Sequence, residues 1–173
     1  MSRSARITII TLCALAAAVC VLLLLSRSQL LAGKRAQEEG TLTFTREGAD
    51  IVTLNGNDIR SLPSETFEAT IRSSGERPVP AEYTGVEVHD LLSLAGVTVS
   101  EDGALLFKGA DLYLTKVEAG ELSEYGNIYI VYMRDGEIMK NRAQGGEGPY
   151  QVIVRNDYYS LRWCKYLSEV EIT

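Results

Sequence analysis

The sequence predicts a mixed α+β domain with a β-rich core, preceded by one N-terminal transmembrane helix. Three observations lead there. Residues Ile7 to Leu25 form a run of 19 residues without a charge. Beyond it, many short segments alternate apolar and polar side chains with the period of a strand, and few carry the 3.6-residue period of a helix. No strand–helix–strand rhythm and no internal repeat is present, which favours α+β over a parallel-sheet class.

The apolar run, coiled as a helix, is about 28 Å long, close to the roughly 30 Å hydrocarbon core of a bilayer. Arg3 and Arg6 precede it, and Arg27, Lys34 and Arg35 follow. Its length and the poor cleavage site at Leu30-Leu31-Ala32 favour a retained anchor over a removed signal. The flanking charges nearly balance, so orientation rests on the extreme N-terminal position, which places the domain outside as a signal anchor does. Residues 1–6 are then a short flank, 7–25 the anchor, 26–40 a polar linker, and 41–173 the domain.

Within the domain, Leu42 and Phe44 alternate with Thr43 and Thr45 as a first strand, and Ile51–Leu54 reads as a second. Asn57 is placed to cap a brief helix through Leu62 that Pro63 ends. Thr66–Ile71 reads as a strand, and SSGERPVPAEY as a loop. The clearest helix is Val86–Ala95, with Val88, Leu91, Leu92 and Ala95 on one face and Gly96 as terminator. Strands follow at Ala104–Lys108, Leu112–Val117 and Asn127–Met133, then a hairpin turn at Arg134–Glu137. The Gly145–Pro149 run is a loop, and Tyr150–Val154 and Tyr166–Ile172 are the last strands.

From Ala36 onward 12 Lys and Arg stand against all 23 Asp and Glu, a difference of 11 in favour of negative charge. That sign repels phosphate backbones, and nucleic acid is excluded as a partner. Of the cysteines Cys13, Cys20 and Cys164, only the last belongs to the domain, so no intrachain disulfide staples it. With His89 the single histidine, a zinc site would have to rely mostly on carboxylates, which zinc disfavours, and a Ser-His-Asp triad would need His89, which no pattern in the sequence supports. Cys164 reads as a small buried thiol, and the many tyrosines as strand packing.

Five segments, TGVEVHDLLSLAGV, GADLYLT, MRDGEIM, GPYQVIV and LRWCKYLSEVEI, occur in an order that resembles the molybdopterin-binding domain of the sulfite-oxidase type. The resemblance runs from Thr53 to Thr173 and implies a fold that cradles a pterin-held molybdenum. In catalytic members a cysteine ligates the metal, and its place, laid onto EATIRSSG, falls at or beside Ser73. A hydroxyl is a harder and far less acidic donor than a thiol. The family commonly has a His before Gly-Pro and an Arg shortly after, where this chain has Glu147 or a neighbour, and Gln151. Losing that Arg removes a bidentate anion partner.

These departures lead to the expectation of a non-catalytic ligand- or partner-binding module, anchored to the membrane with its domain extracytoplasmic. No cofactor is expected on that reading, and an envelope protein or small ligand is the partner. The alternative is a molybdopterin-dependent oxidoreductase with an unusual ligand set. Arg72, Ser73, Ser74 and Arg77 form the basic spot of the inherited pocket and are the candidate binding residues.

Overall fold

The computed structural model of the protein describes residues 3–173, without the side chains of residues 3–8 and 29. Met1 and Ser2 of the expected N-terminal flank lie outside the described residues. The chain divides into two units, residues 1–32 and 33–173.

The first unit is helical throughout its described length. Helix α1 (Arg3–Glu39) carries the apolar run and continues through the polar stretch after it, ending within the second unit. Among the described residues it is the one helix long and apolar enough to cross a membrane, with a mean hydropathy of 2.8 over its best window. Its last turns belong to the globular unit: Gln37 is buried and its Nε2 donates to the Leu167 carbonyl at 3.2 Å.

The globular unit is built from ten strands, β1 (Leu42–Arg46), β2 (Ala49–Leu54), β3 (Ser64–Ile71), β4 (Val79–Glu87), β5 (Ala104–Gly109), β6 (Leu114–Glu118), β7 (Ile128–Arg134), β8 (Glu137–Ile138), β9 (Gln151–Val154) and β10 (Leu167–Ile172). They form two five-stranded sheets. The first runs β2-β1-β10-β5-β6; the second runs β3-β4-β7-β8, with β9 on β7. The last strand lies inside the first sheet, parallel to β1 and antiparallel to β5. Three short helices connect strands: α2 (Gly56–Arg60), α3 (Val88–Ala95) and α4 (Ala119–Leu122).

Period-2 alternation sorts the side chains of the second sheet into two cores. From β7, Ile128, Ile130 and Tyr132 enter the main core beside Phe44, Phe107 and Leu91. Tyr129 and Val131 point the other way, into a second cluster with Phe67, Ala81, Tyr83, Ile153 and Trp163. Each large side chain buried in this way contributes about 1.5–3 kcal/mol.

Several boundaries differ from the sequence expectation for identifiable reasons. The cap of α2 is Asn55, not Asn57: Asn55 Oδ1 accepts from the backbone N–H of Asn57 at 2.8 Å, and Asp58 reaches back to Asn55 N at 2.9 Å. Strand β4 absorbs the expected loop from Val79 and the expected first helical residues Val86 and Glu87. Helix α3 therefore starts at Val88, with Glu87 extended at φ −70°, ψ 143° as its cap. Leu112 and Tyr113, expected in a strand, lie in the turn between β5 and β6, where Leu112 has φ +70°. The Arg134–Glu137 hairpin forms as expected, with Asp135 and Gly136 at φ 52° and 77°.

Candidate functional site

The structure places Arg72 at the end of β3, where its backbone exchanges two hydrogen bonds with Ser160. Its N–H donates to Ser160 Oγ at 2.8 Å, and its carbonyl accepts from Ser160 N at 3.1 Å. The guanidinium lies 5.0 Å from the centroid of the Tyr158 ring. Ser73 opens an exposed turn in which its carbonyl accepts from Glu76 N at 3.3 Å. Ser73, Ser74 and Arg77 are exposed, and their side chains have no hydrogen-bond or ion-pair partner among the described residues. The four expected binding residues thus share a loop, and only Arg72 is fixed by contacts elsewhere. Among the described residues no three His, Cys, Asp or Glu side chains gather as a metal site.

A different cluster of polar groups converges on the second, smaller core. Gln151 shares the β9 face of Ile153, while its neighbours Tyr150 and Val152 serve the main core. It is fully buried, and neither its amide oxygen nor its amide nitrogen has a hydrogen-bond partner. Gly85, Val131 and Gln151 form one cross-strand row, and Tyr83 stands two residues along β4 on the same face. The Tyr83 hydroxyl is likewise buried without a partner. Burial raises its pKa, the nearby Arg134 charge offsets part of that, and Glu147 and Asp135 add to the rise.

Around these orphaned groups stand an aromatic wall and an ion network. Trp163 packs edge-on to Tyr83 with ring centroids 6.0 Å apart, its indole N–H donating to the Val154 carbonyl at 3.2 Å. The Arg134 guanidinium is 5.8 Å from the Tyr83 ring centroid. Glu147 joins Arg134 at 3.4 Å to Lys165 at 2.6 Å. Gly148 seats the Glu147 loop: at φ +103° it lies so close to Tyr166 that a Cβ there would be 2.5 Å from the Tyr166 Cα. A cleft of 330 Å³ opens beside the network, lined in part by Arg134, Asp135, Met139, Lys140 and Glu147.

The family model described as the oxidoreductase molybdopterin binding domain matches residues 33–173. The chain belongs to that family. Among solved structures, the sulfane dehydrogenase SoxCD from Paracoccus pantotrophus is similar in fold, with a TM-score of 0.60 at 18% identity. The similarity covers 76% of this chain and only 37% of that one. No curated protein matches the sequence. Membership corrects one expectation: the absence of a cofactor, inferred from the serine at position 73 and the lost arginine, is overturned by a match to a molybdopterin-binding family across the whole globular unit.

The residues present fit the organic part of such a cofactor. A pterin ring carries amide-like donors and acceptors along its edge, and Gln151 with Tyr83 offers unsatisfied groups of both kinds. Lys165 and Arg134 supply positive charge for a phosphate. The fit to the metal is poorer, because the described residues around the site contribute no thiolate. Cys164 is fully buried with its thiol pushed up to about 12 by burial, and it belongs to the main core.

Sequence reasoning singled out Glu147 and Gln151 as departures, but missed Tyr83, Arg134, Trp163 and Lys165. A polar residue at an inward position of the apolar strand YQVIV was the available signal for Gln151. The others come from separate strands and loops that only the fold brings together.

Proposed function

We propose that this chain is a membrane-anchored, extracytoplasmic domain that holds a pterin of the molybdopterin class and has lost the turnover that depends on a protein thiolate. One observation carries the reading. Gln151 is buried with both ends of its amide unsatisfied, and the Tyr83 hydroxyl of the same core is buried in the same condition. Burying such groups without partners costs about 1–3 kcal/mol each, a cost that a bound ligand removes.

In this reading Gln151 and Tyr83 bind and orient the ring edge. Lys165 and Arg134 exchange part of their pairing with Glu147 for the phosphate, and Trp163 screens the site from water. When bound, the group supplies a two-electron redox centre through its metal. The exposed Ser73 offers a neutral hydroxyl, which donates charge to a metal far less well than sulfur does. The length and apolar composition of α1 support the anchoring, and the outward side of the domain is part of the same proposal.

The test is pterin content. Full-length protein made in a host competent for the cofactor, purified in detergent and oxidised with acid, is expected to release a fluorescent pterin. Gln151→Leu and Lys165→Ala are expected to lower the yield, and Ser73→Ala to leave it unchanged. A wild-type protein without pterin overturns the proposal. Loss of pterin in Ser73→Ala identifies Ser73 as a ligand and makes the chain an oxidoreductase with an unusual ligand set.

A further inference from the structure

The turn between β5 and β6 carries a residue that is unfavourable twice over. Leu112 has φ +70°, a conformation that costs a bulky side chain and suits Gly or Asn, and it is 56% exposed. The turn is firmly built: Gly109 N donates to the Tyr113 carbonyl at 2.8 Å, and Ala110 N to the Tyr166 carbonyl at 2.8 Å. A rigid turn that presents leucine at the cost of backbone strain points to a contact made by that leucine.

Leu112 is not isolated. Tyr113 and Leu114 beside it are exposed, and the Tyr113 hydroxyl donates to the Leu161 carbonyl, joining the turn to a second exposed apolar segment. There Leu161 is 71% exposed, and the Tyr158 and Tyr159 rings stack edge to face at 4.9 Å. Two hydrogen bonds, Arg72 N to Ser160 Oγ and Ser160 N to the Arg72 carbonyl, fix that segment to the end of β3. Leucine and tyrosine on two rigid segments form a surface of the composition found where protein meets the headgroup region of a bilayer.

We propose that this surface, Leu112 to Leu114 with Tyr158 to Leu161, rests on the lipid interface of the membrane in which α1 is anchored. The occupant is assigned from the tether. The chain enters the globular unit at Gly33, which packs so tightly on Ala110 of this turn that a Cβ there would be 3.0 Å from the Ala110 Cα. Gly33 lies eight residues after Leu25, the end of the apolar run, a rise of about 12 Å along a helix. That length clears the headgroup zone, about 5–8 Å on each side of the hydrocarbon, by only a few ångströms. The acidic balance of the domain denies it attraction to anionic lipid, so apolar and tyrosine side chains must make the contact.

The proposal rests on the anchoring argued above, and one experiment separates the two. Full-length protein is reconstituted in phosphatidylcholine vesicles, with or without brominated chains, as wild type and as Leu112→Trp, Leu161→Trp and Ile51→Trp. Trp163 is the one native tryptophan and is buried, so its signal is subtracted. The indoles at 112 and 161 are expected to lose about half their emission to the bromolipid, as residues of an interfacial belt do, while the exposed residue at 51 loses little. Protein that floats with the vesicles but shows equal quenching at all three positions overturns the proposal and leaves the anchor standing. Protein that does not float overturns both. Quenching absent at 112 and 161, with emission that changes with protein concentration, assigns the surface to a second copy instead. Leu161→Trp stands in should the strained turn not accept tryptophan at 112.

Discussion

Gln151 costs the cofactor-free fold stability. Its amide has neither partner it needs, so replacing it with an isosteric apolar side chain removes a cost without opening a cavity. Gln151→Leu is expected to raise the unfolding free energy of the cofactor-free protein by about 1–2 kcal/mol. A urea titration followed by Trp163 fluorescence checks this, and a lower midpoint refutes the orphaned amide. Each core holds a group that titrates late, Tyr129 in the smaller one and Cys164 in the main one. Burial, with the Glu65 hydrogen bond second, pushes Tyr129 up to about 12 from 10.0, and burial pushes Cys164 up to about 12 from 9.0. Both keep their protons in the fold after the unfolded chain has released them. Their contribution is therefore complete below pH 9 and declines as the pH climbs toward 12. Cys164→Ala is expected to flatten part of that decline, measured as unfolding free energy at successive alkaline pH values. Cys164 itself is expected to resist thiol reagents until the protein is denatured.

The junction of β4 and α3 shows what an element boundary costs to build. Glu87 is 3% exposed, yet its carboxylate accepts from His89 N at 2.6 Å and contacts His89 Nδ1 at 2.8 Å, with Gly126 N at 3.4 Å. One side chain thus caps α3 and ties it to the loop before β7. Glu87→Ala is expected to cost about 2 kcal/mol, the upper range for a lost cap, because it also strands the half-buried donors of His89 and Gly126. A loss below half of that by chemical denaturation refutes the capping role. The helical period of Val88, Leu91 and Leu92 was legible in the sequence, but the pattern gave no reason to begin the helix two residues late. Strand β4 was obscured for another reason: Pro78 and Pro80 signal a loop. Pro80 pairs with Thr70 of β3, whereas pairing with β7 begins only at Tyr83, so its missing N–H is lost on a side without a partner. The exposed turn at Leu112 was hidden because alternation continues through it.

Pairing across the whole chain is the part that local pattern conveys least. Every strand of the first sheet reads as a strand in isolation, yet nothing local says that Leu167–Ile172 lies between β1 and β5. The same holds for the candidate site, whose Tyr83, Arg134, Gln151, Trp163 and Lys165 are spread over more than eighty residues of sequence. The parallel register of Phe44 on Val170 and the antiparallel one of Val170 on Phe107 place three buried side chains in one row. Removing Leu167–Thr173 therefore does more than shorten an end. It exposes the flanks of β1 and β5, strips Leu167, Val170 and Ile172 from the main core, and frees the Lys108 ion pairs with Glu169 and Glu171. Burial of three large apolar side chains is worth about 5–9 kcal/mol, comparable to the whole stability of a domain this size. The truncated chain is expected to lose near-ultraviolet circular dichroism and to be digested throughout by trace protease. Removing Thr173 alone ends only the edge pairing with Ala104 and is expected to leave a cooperative transition. A truncation to Tyr166 that still unfolds cooperatively shows that the first sheet can close without its central strand, and that the two cores are held by the second sheet alone.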